Sequence, residues 1–422
     1  MSDGALSSAR AATDPDLPDA AESGVGAKRW PRRRRQRGGR WRGRLRAAGL
    51  VLVPLTAVVG WSYVNALRAP GNENVAERSI EWLRDHHLEG IVNAFEDAWY
   101  RHHQPKVGGR PKGGLPTIAS PRSGPPTIPT AEVTPASAML QRLPLPPDVV
   151  PVAAPPLPGE GHWQPAGDPV GGLPAVEVTY LRPDALHTSL VAGVAWMDTR
   201  LLRAELIPGL QVPGHGPWAS GSQVPASERV DLLAAFNSGF RMSGSHGGFY
   251  AEGRSVGQLL PGAASLVVRT DHTVTVGEWG RDVRLGPDVA AVRQNLSLVV
   301  DAGAPVPGLD DNLHSRWGAT LGNRVLVWRS GVGVDRNGGL IYVGGPGLSV
   351  RSLAALLARA GCVRAMELDI NFDWVTFNLY RHAPDHSIAG ETKLLDTMRW
   401  PATRYLSPDS RDFVALYARR SG

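Results

Sequence analysis

The run Met366-Glu367-Leu368-Asp369-Ile370-Asn371-Phe372-Asp373-Trp374 carries the densest chemistry in the chain. It alternates apolar and polar residues without a break, the period of a strand. If it stays extended, Glu367, Asp369, Asn371 and Asp373 share one face, with neighbours about 6.5–7 Å apart. Carboxylates at that separation can exchange protons with a substrate hydroxyl or a water, or hold an ion. The plainer reading is a half-buried strand with a solvated face. Asp and Asn are poor strand residues, so three of them in succession call for binding, catalysis or departure into a loop.

Two further clusters have suitable residue types. Asn237-Ser238-Gly239-Phe240 is followed by Ser243-Gly244-Ser245-His246-Gly247-Gly248. Glycines permit close backbone approach, and amides in such loops can cradle an anion. His246 is an acid–base candidate, although a plain loop explains the same residues. In His314-Ser315-Arg316-Trp317-Gly318, Arg316 beside an aromatic suits a phosphate or carboxylate; a surface ion pair is the alternative.

Taken in order, these clusters resemble the phosphodiester glycosidase family, whose members remove N-acetylglucosamine from a phosphodiester. Asn237-Ser238-Gly239-Phe240 is similar to the family's Asn-Gly-Gly-Phe-Phe-like run. The segment from Gln294 to Asp301-Ala302-Gly303 looks like its strand ending in Asp-Gly. Arg316 precedes Ala319-Thr320-Leu321-Gly322, as an arginine precedes Ala-x-x-Gly in the family. Gly361 then leads to Leu368-Asp369, where the family has Leu-Asp-Gly-Gly-Gly-Ser. Here Ile370-Asn371-Phe372-Asp373 replaces that glycine-rich end, and Ser238 departs from the first motif. The resemblance spans about residues 176–400. It implies a hydrolase of sugar–phosphate linkages, with Asp369 as base or acid alongside Glu367 or Asp373. It further implies Arg316 on a phosphate oxygen, Asn237 at the reacting group, and Gly239, His246, Gly247, Asp301, Asn371 and Asp373 around the substrate. The altered Asp369 segment leaves a second reading open, a non-catalytic glycan- or polymer-binding protein on the same fold.

The elements that must position these residues read as α+β. Val176–Tyr180, Ser189–Trp196, Leu201–Ile207, Leu266–Thr270, Thr273–Gly277, Leu296–Val300, Val325–Trp328 and Leu340–Val343 have strand character. Asp271-His272 reads as a hairpin turn. Ser227–Ala235 has the composition of a short helix. Ser349 caps a clearer one over Val350–Ala360, which Gly361 stops. Many strands with few helices predict a mixed β-sheet core over 175–422.

Charge locates the rest of the chain. The net charge is +6, with 45 basic and 39 acidic residues. Residues 1–46 hold 12 basic and 5 acidic residues, and the remainder holds 33 and 34. A neutral body argues against a broad phosphate-tracking surface, so no nucleic-acid partner is expected; the basic arm itself is the only segment that could bind one. Ala47–Leu67 is 21 residues without a charge. At 1.5 Å per residue that is about 32 Å, enough for one membrane span. The basic arm would lie in the cytoplasm and residues 68–422 outside. A retained anchor is expected, with cleavage after Val64-Asn65-Ala66 as the alternative. Residues 72–103 read as a juxtamembrane helix stopped by Pro105. Residues 104–174 carry 18 of the 36 prolines and read as a spacer. A single cysteine, Cys362, excludes a disulfide framework. No cofactor is expected, although the hard oxygens of Asp369, Asn371 and Asp373 are compatible with calcium. The partners implied are a membrane and a carbohydrate or sugar-phosphate substrate.

Overall fold

The computed structural model describes residues 54, 56–68, 75–86, 88, 104–117, 141–311, 316–318 and 325–420. The chain divides into two compact units, Met1–Ser62 and Tyr63–Gly422. Residues 56–68 are helical, and the first part of the expected span, 47–53, lies outside the described residues. Among the described residues no helix is long and apolar enough to cross a membrane. Of the helix expected over 72–103, Val75–Asp85 is helical and Leu88 is not; residues 89–103 lie outside the described set.

Three sheets build the second unit. The first has eight strands in the order β1 (Gln164–Ala166), β2 (Val176–Leu181), β3 (Ala192–Met197), β14 (Leu340–Leu348), β13 (Val327–Asp335), β15 (Cys362–Glu367), β11 (Leu298–Asp301), β12 (Ala304–Pro305). The second runs β7 (Arg254–Val256), β6 (Phe249–Ala251), β10 (Val289–Gln294), β8 (Ala264–Arg269), β9 (Val274–Glu278). The third runs β17 (Ile388–Lys393), β16 (Phe377–His382), β5 (Leu232–Asn237), β18 (Phe413–Ala418), β4 (Leu202–Ile207). One hydrophobic core is shared by all three, with Tyr180, Phe236, Leu266, Val332, Tyr342 and Val414 among its members.

The expected mixed sheet is corrected. Every paired neighbour in these sheets is antiparallel. β14 and β15 do run parallel to each other across the helix Val350–Arg359, but β13 is inserted antiparallel between them. That helix starts at Ser349, whose side chain accepts from Ser352 N in a capping box. Its Leu353, Leu356 and Leu357 are buried on the outer face of the first sheet. Each contributes about 1.5–3 kcal/mol by burial. Gly331 on β13 permits this approach, because a Cβ there would lie 2.9 Å from Leu357 Cδ1.

Three other expectations change. Ser227–Ala235 is not a helix. A 3-10 turn ends at Asp231 and the chain enters β5, where the apolar run Leu232–Phe236 is buried on both faces. The alternating run does not stay extended either. β15 ends at Glu367, and Asp369 and Asn371 then bend the chain. Asn371 N donates to Asp369 Oδ1 at 3.0 Å, and Asp373 N to Asn371 Oδ1 at 2.9 Å. These are Asx turns, in which a short polar side chain bonds the backbone two residues on. Glu367, Asp369, Asn371 and Asp373 therefore do not form one face.

The spacer is corrected as well. From residue 141 the Pro-rich chain is part of the domain. Leu143 and Val149 are buried under the first sheet. Leu143 N donates to Asp198 Oδ2 at 2.7 Å. Arg182 grips Glu160 through Nε and Nη2, 2.8 Å at the closest, in a buried pair. Burial pushes the Glu160 carboxyl up, but Arg182 and the amides of Leu157 and Arg182 outweigh it and hold it below its usual range. Residues 104–117 also touch the body, as Gly108 N donates to Leu186 O at 2.6 Å.

Candidate functional site

β5 ends at Asn237, beneath the point where the chain leaves β15. Ser330 on β13 joins the two. Asn237 Nδ2 donates to Ser330 Oγ at 3.0 Å, and Asp369 N donates to the same oxygen at 3.2 Å. Ser330 N donates to Asp369 O at 2.8 Å. Ser330 faces this junction because its neighbour Gly331 faces the helix.

Asn237 is buried and its amide is saturated. Nδ2 also donates to Ser238 O, while Oδ1 accepts from Tyr342 OH and Thr376 N, each at 3.0 Å. An asparagine amide offers two donors and two acceptor positions, and all four are used. Asn237 thus holds the β5 end to β13, β14 and the start of β16.

Asp369 is 3% exposed. Its Oδ1 takes the Asn371 amide, and its Oδ2 lies 3.1 Å from Arg411 Nη2. Arg411 also donates to Gly239 O at 3.3 Å and stacks over Trp374 at 4.7 Å. Burial pulls the Arg411 guanidinium pKa down, and Asp369 and Asp412 oppose that. Two residues before Asp369, Glu367 is 1% exposed. Arg329 Nη1 donates to its Oε1 at 2.5 Å, while Oε2 has no hydrogen-bond partner among the described residues. Burial pushes the Glu367 carboxyl above its usual range; Arg329 opposes this and the nearby Asp369 adds to it.

Two more buried pairs surround the junction. Arg293 Nε donates to Asp412 Oδ2 at 2.7 Å, and Arg404 Nε to Asp409 Oδ2 at 2.5 Å. Arg404 also reaches Thr376 Oγ1 at 3.0 Å and lies over Trp374 and Trp400. Among the described residues four arginines thus face four carboxylates, every one of the eight less than a tenth exposed. None of Arg293, Arg329, Arg404, Arg411, Asp409 or Asp412 is evident from the sequence, since each pair closes only in the folded chain. The one available signal was the Arg411-Asp412 doublet entering an apolar strand.

The glycine loop is built for packing. Gly248 N donates to Gln294 Oε1 at 3.0 Å, so that amide is engaged. A Cβ at Gly248 would lie 2.6 Å from Gln258 O, and one at Gly247 2.8 Å from Gln294 Cβ. Gly239 has more room: a Cβ there would meet Asn295 Cγ at 3.3 Å and Arg293 Cζ at 3.5 Å. Asn295 itself donates to Glu367 O at 2.6 Å. His246 is exposed, in a left-handed conformation (φ 54°) after the helical turn Met242–Ser245.

The third cluster meets the other two through Gly318, where a Cβ would lie 2.8 Å from Phe240 and 3.1 Å from Ile370. Arg316 is exposed and stacks on its own neighbour Trp317 at 4.7 Å. His314, Ser315 and Ala319–Gly322 lie outside the described residues. Asn371 and Asp373 are half-buried, and Asp373 pairs with Arg399 at 3.0 Å. Asp301 lies elsewhere. Leu298 pairs with Met366, so β11 runs away from Glu367, and Asp301 at its far end binds Arg281 at 2.8 Å. Among the described residues no group of three or more His, Cys, Asp or Glu is placed to hold a metal ion. The Asp369 and Asn371 oxygens face backbone amides, which is a poor fit to calcium coordination.

No protein-family model matches the chain, and no curated protein matches it. Among solved structures it is similar to a hypothetical protein from Synechocystis, at 12% identity and a TM-score of 0.31, over 60% of this chain and 64% of that one. It is also similar to a candidate exported protein from Burkholderia pseudomallei K96243, at 13% identity and a TM-score of 0.28, over 56% and 75%. The chain therefore spans less than two thirds of the first of these proteins.

Proposed function

We propose that the chain is a membrane-anchored, outward-facing hydrolase of sugar–phosphodiester linkages in envelope glycans, a divergent member of the phosphodiester glycosidase family. The observation that carries this reading is the convergence at Ser330 and Arg411 of Asn237, Gly239 and Asp369, which are far apart in sequence. In this reading the two carboxylates have different roles, because their environments differ. Glu367, held toward its protonated form and with Oε2 buried and unbonded among the described residues, donates the proton to the leaving oxygen. Asp369, fixed by Arg411, takes the proton of the attacking water. Arg316 at the exposed edge neutralises the phosphate. Glu367 and Asp369 are 1% and 3% exposed, so substrate entry requires the chain around them to move. The basic arm and the uncharged run Ala47–Leu67 supply the anchor and its orientation.

A second reading, a non-catalytic glycan-binding protein, is favoured by one observation: the Asn237 amide and the Gly248 N–H are consumed by internal bonds. The full-length protein in detergent, incubated with sugar 1-phosphodiesters, separates the two. Release of free sugar that is lost in Glu367→Gln supports the hydrolase. Saturable glycan binding without release supports the binder.

A further inference from the structure

On β8 the side chains alternate: Leu266 and Val268 enter the shared core, whereas Val267 and Arg269 face the opposite side of the second sheet. The connection from Trp279 to Asp288 folds back over that side. Gly280 N and Val283 O close it at 2.9 Å, and Glu278 N donates to Asp282 Oδ2 at 2.9 Å. A cavity of about 330 Å³ opens between sheet and connection. Buried Val267, Val283 and Val289 form its floor, and Arg269, Arg281, Asp282 and Arg284 its edge. Trp279 and Tyr250 pack against the same valine cluster.

The charges around this cavity cancel. Arg281 binds Asp282 and Asp301, each at 2.8 Å, and lies 3.3 Å from Glu278. Arg269 pairs with Asp288. Arg364 lies 4.0 Å from Asp282. With Arg284 the zone holds four guanidinium groups and four carboxylates. An incoming phosphate would meet as many negative groups as positive ones, so an anion gains little here. A neutral polyhydroxyl compound gains from both, because it donates to carboxylates and accepts from guanidinium groups. Arg284 has donors to spare. Its Nε and Nη2 both bond Gly280 O, at 3.1 and 2.9 Å, and no carboxylate among the described residues pairs with it. The three valines are 1%, 7% and 6% exposed, so a ligand here is held by the guanidinium and carboxylate edge. The volume is at the small end of ligand cavities, about 300–1,000 Å³.

We propose that this cavity is a second site that binds an uncharged saccharide unit, on the outer face of the second sheet. It shares no residue with the Asp369 junction and stands whether or not that junction is catalytic. Asp301, which the sequence places among substrate-binding residues, acts here by fixing Arg281.

The test uses the full-length protein in a detergent without a sugar head group. Neutral tetrasaccharides of glucose, mannose and N-acetylglucosamine, and inorganic phosphate, are titrated by ligand-observed NMR and calorimetry. At least one tetrasaccharide should bind saturably, in the weak range of single sugar subsites. Arg284→Ala, which gives up bonds only to a backbone carbonyl, and Val283→Trp, which fills the cavity, should each weaken binding about tenfold or more. Phosphate should not compete. No saturable binding up to about 20 mM, binding unchanged in both variants, or competition by phosphate would each overturn the proposal.

Discussion

Replacing Asp369 by Asn tests the buried junction most severely. Among the described residues two donors converge on this carboxylate: Asn371 N on Oδ1 and Arg411 Nη2 on Oδ2. An asparagine has one acceptor oxygen, so one of the two donors must face an NH2 group. Arg411, 7% exposed, also loses its counter-charge, and its nearest alternative, Asp412, is held by Arg293. Removing one partner of a buried pair costs about 3–5 kcal/mol. Asparagine keeps one hydrogen bond, so the lower end is expected, about 3 kcal/mol. In a domain of this size that lowers Tm by roughly 6–12 °C. Thermal and urea unfolding of the full-length protein would measure it. Arg411→Met alone should cost a similar amount, because it strands the Asp369 anion. The double variant Asp369→Leu with Arg411→Met should cost at least about 2 kcal/mol less than the two single costs added together. An Asp369→Asn Tm within about 1 °C of the native value would refute a tight, dry pair. The same result bears on activity: loss of turnover in Asp369→Asn is evidence for chemistry only at temperatures where the variant is folded.

The other perturbations follow from the same geometry. Glu367 has a folded pKa raised by burial, so its contribution to stability is full below the ordinary value of 4.5 and is lost as pH rises from there through the folded value. The slope of stability against pH in that window should flatten in Glu367→Gln, measured by urea unfolding at stepped pH. Gly248→Ala pushes a Cβ to 2.6 Å from Gln258 O, a backbone atom that cannot swing away. A loss of about 2–3 kcal/mol is expected from the denaturation midpoint. Arg316→Ala removes an exposed stack on Trp317 and should leave Tm within about 1 °C, while raising KM for a phosphodiester substrate severalfold.

Local signals in the sequence were legible where the physics is local. Ser349 and Gly361 bound a helix because a cap and a stop act within one turn, and Asp271-His272 closes the β8–β9 hairpin for the same reason. The alternation from Met366 to Trp374 misled, because the period of apolar residues carries no information about Asx turns that side chains of Asp369 and Asn371 make with their own backbone. Proline density likewise marked residues 104–174 as extended chain. It did not mark Leu143 and Val149 as core residues or Glu160 as the anchor of Arg182. At the candidate site Asn237, Gly239 and Asp369 were visible as residue types, and the structure brings them together at Ser330 and Arg411, while Glu367 lies opposite Gly331 and pairs with Arg329. Their partners were not visible: Arg293 meets Asp412 across 119 positions and Arg411 meets Asp369 across 42, distances at which no spacing rule operates. Asp301 was assigned by order along the chain, and the antiparallel run of β11 carries it to the opposite end of the sheet.

In the proposed reaction Glu367 is the acid and Asp369 the base for a sugar–phosphate bond. The most direct measurement is the release of free sugar from a sugar 1-phosphodiester by the full-length protein, with Glu367→Gln compared at a temperature where both are folded. Turnover by the native chain and a loss of about a hundredfold or more in the variant are expected. Turnover that survives in Glu367→Gln would contradict these roles, as would binding of the same substrate without any release.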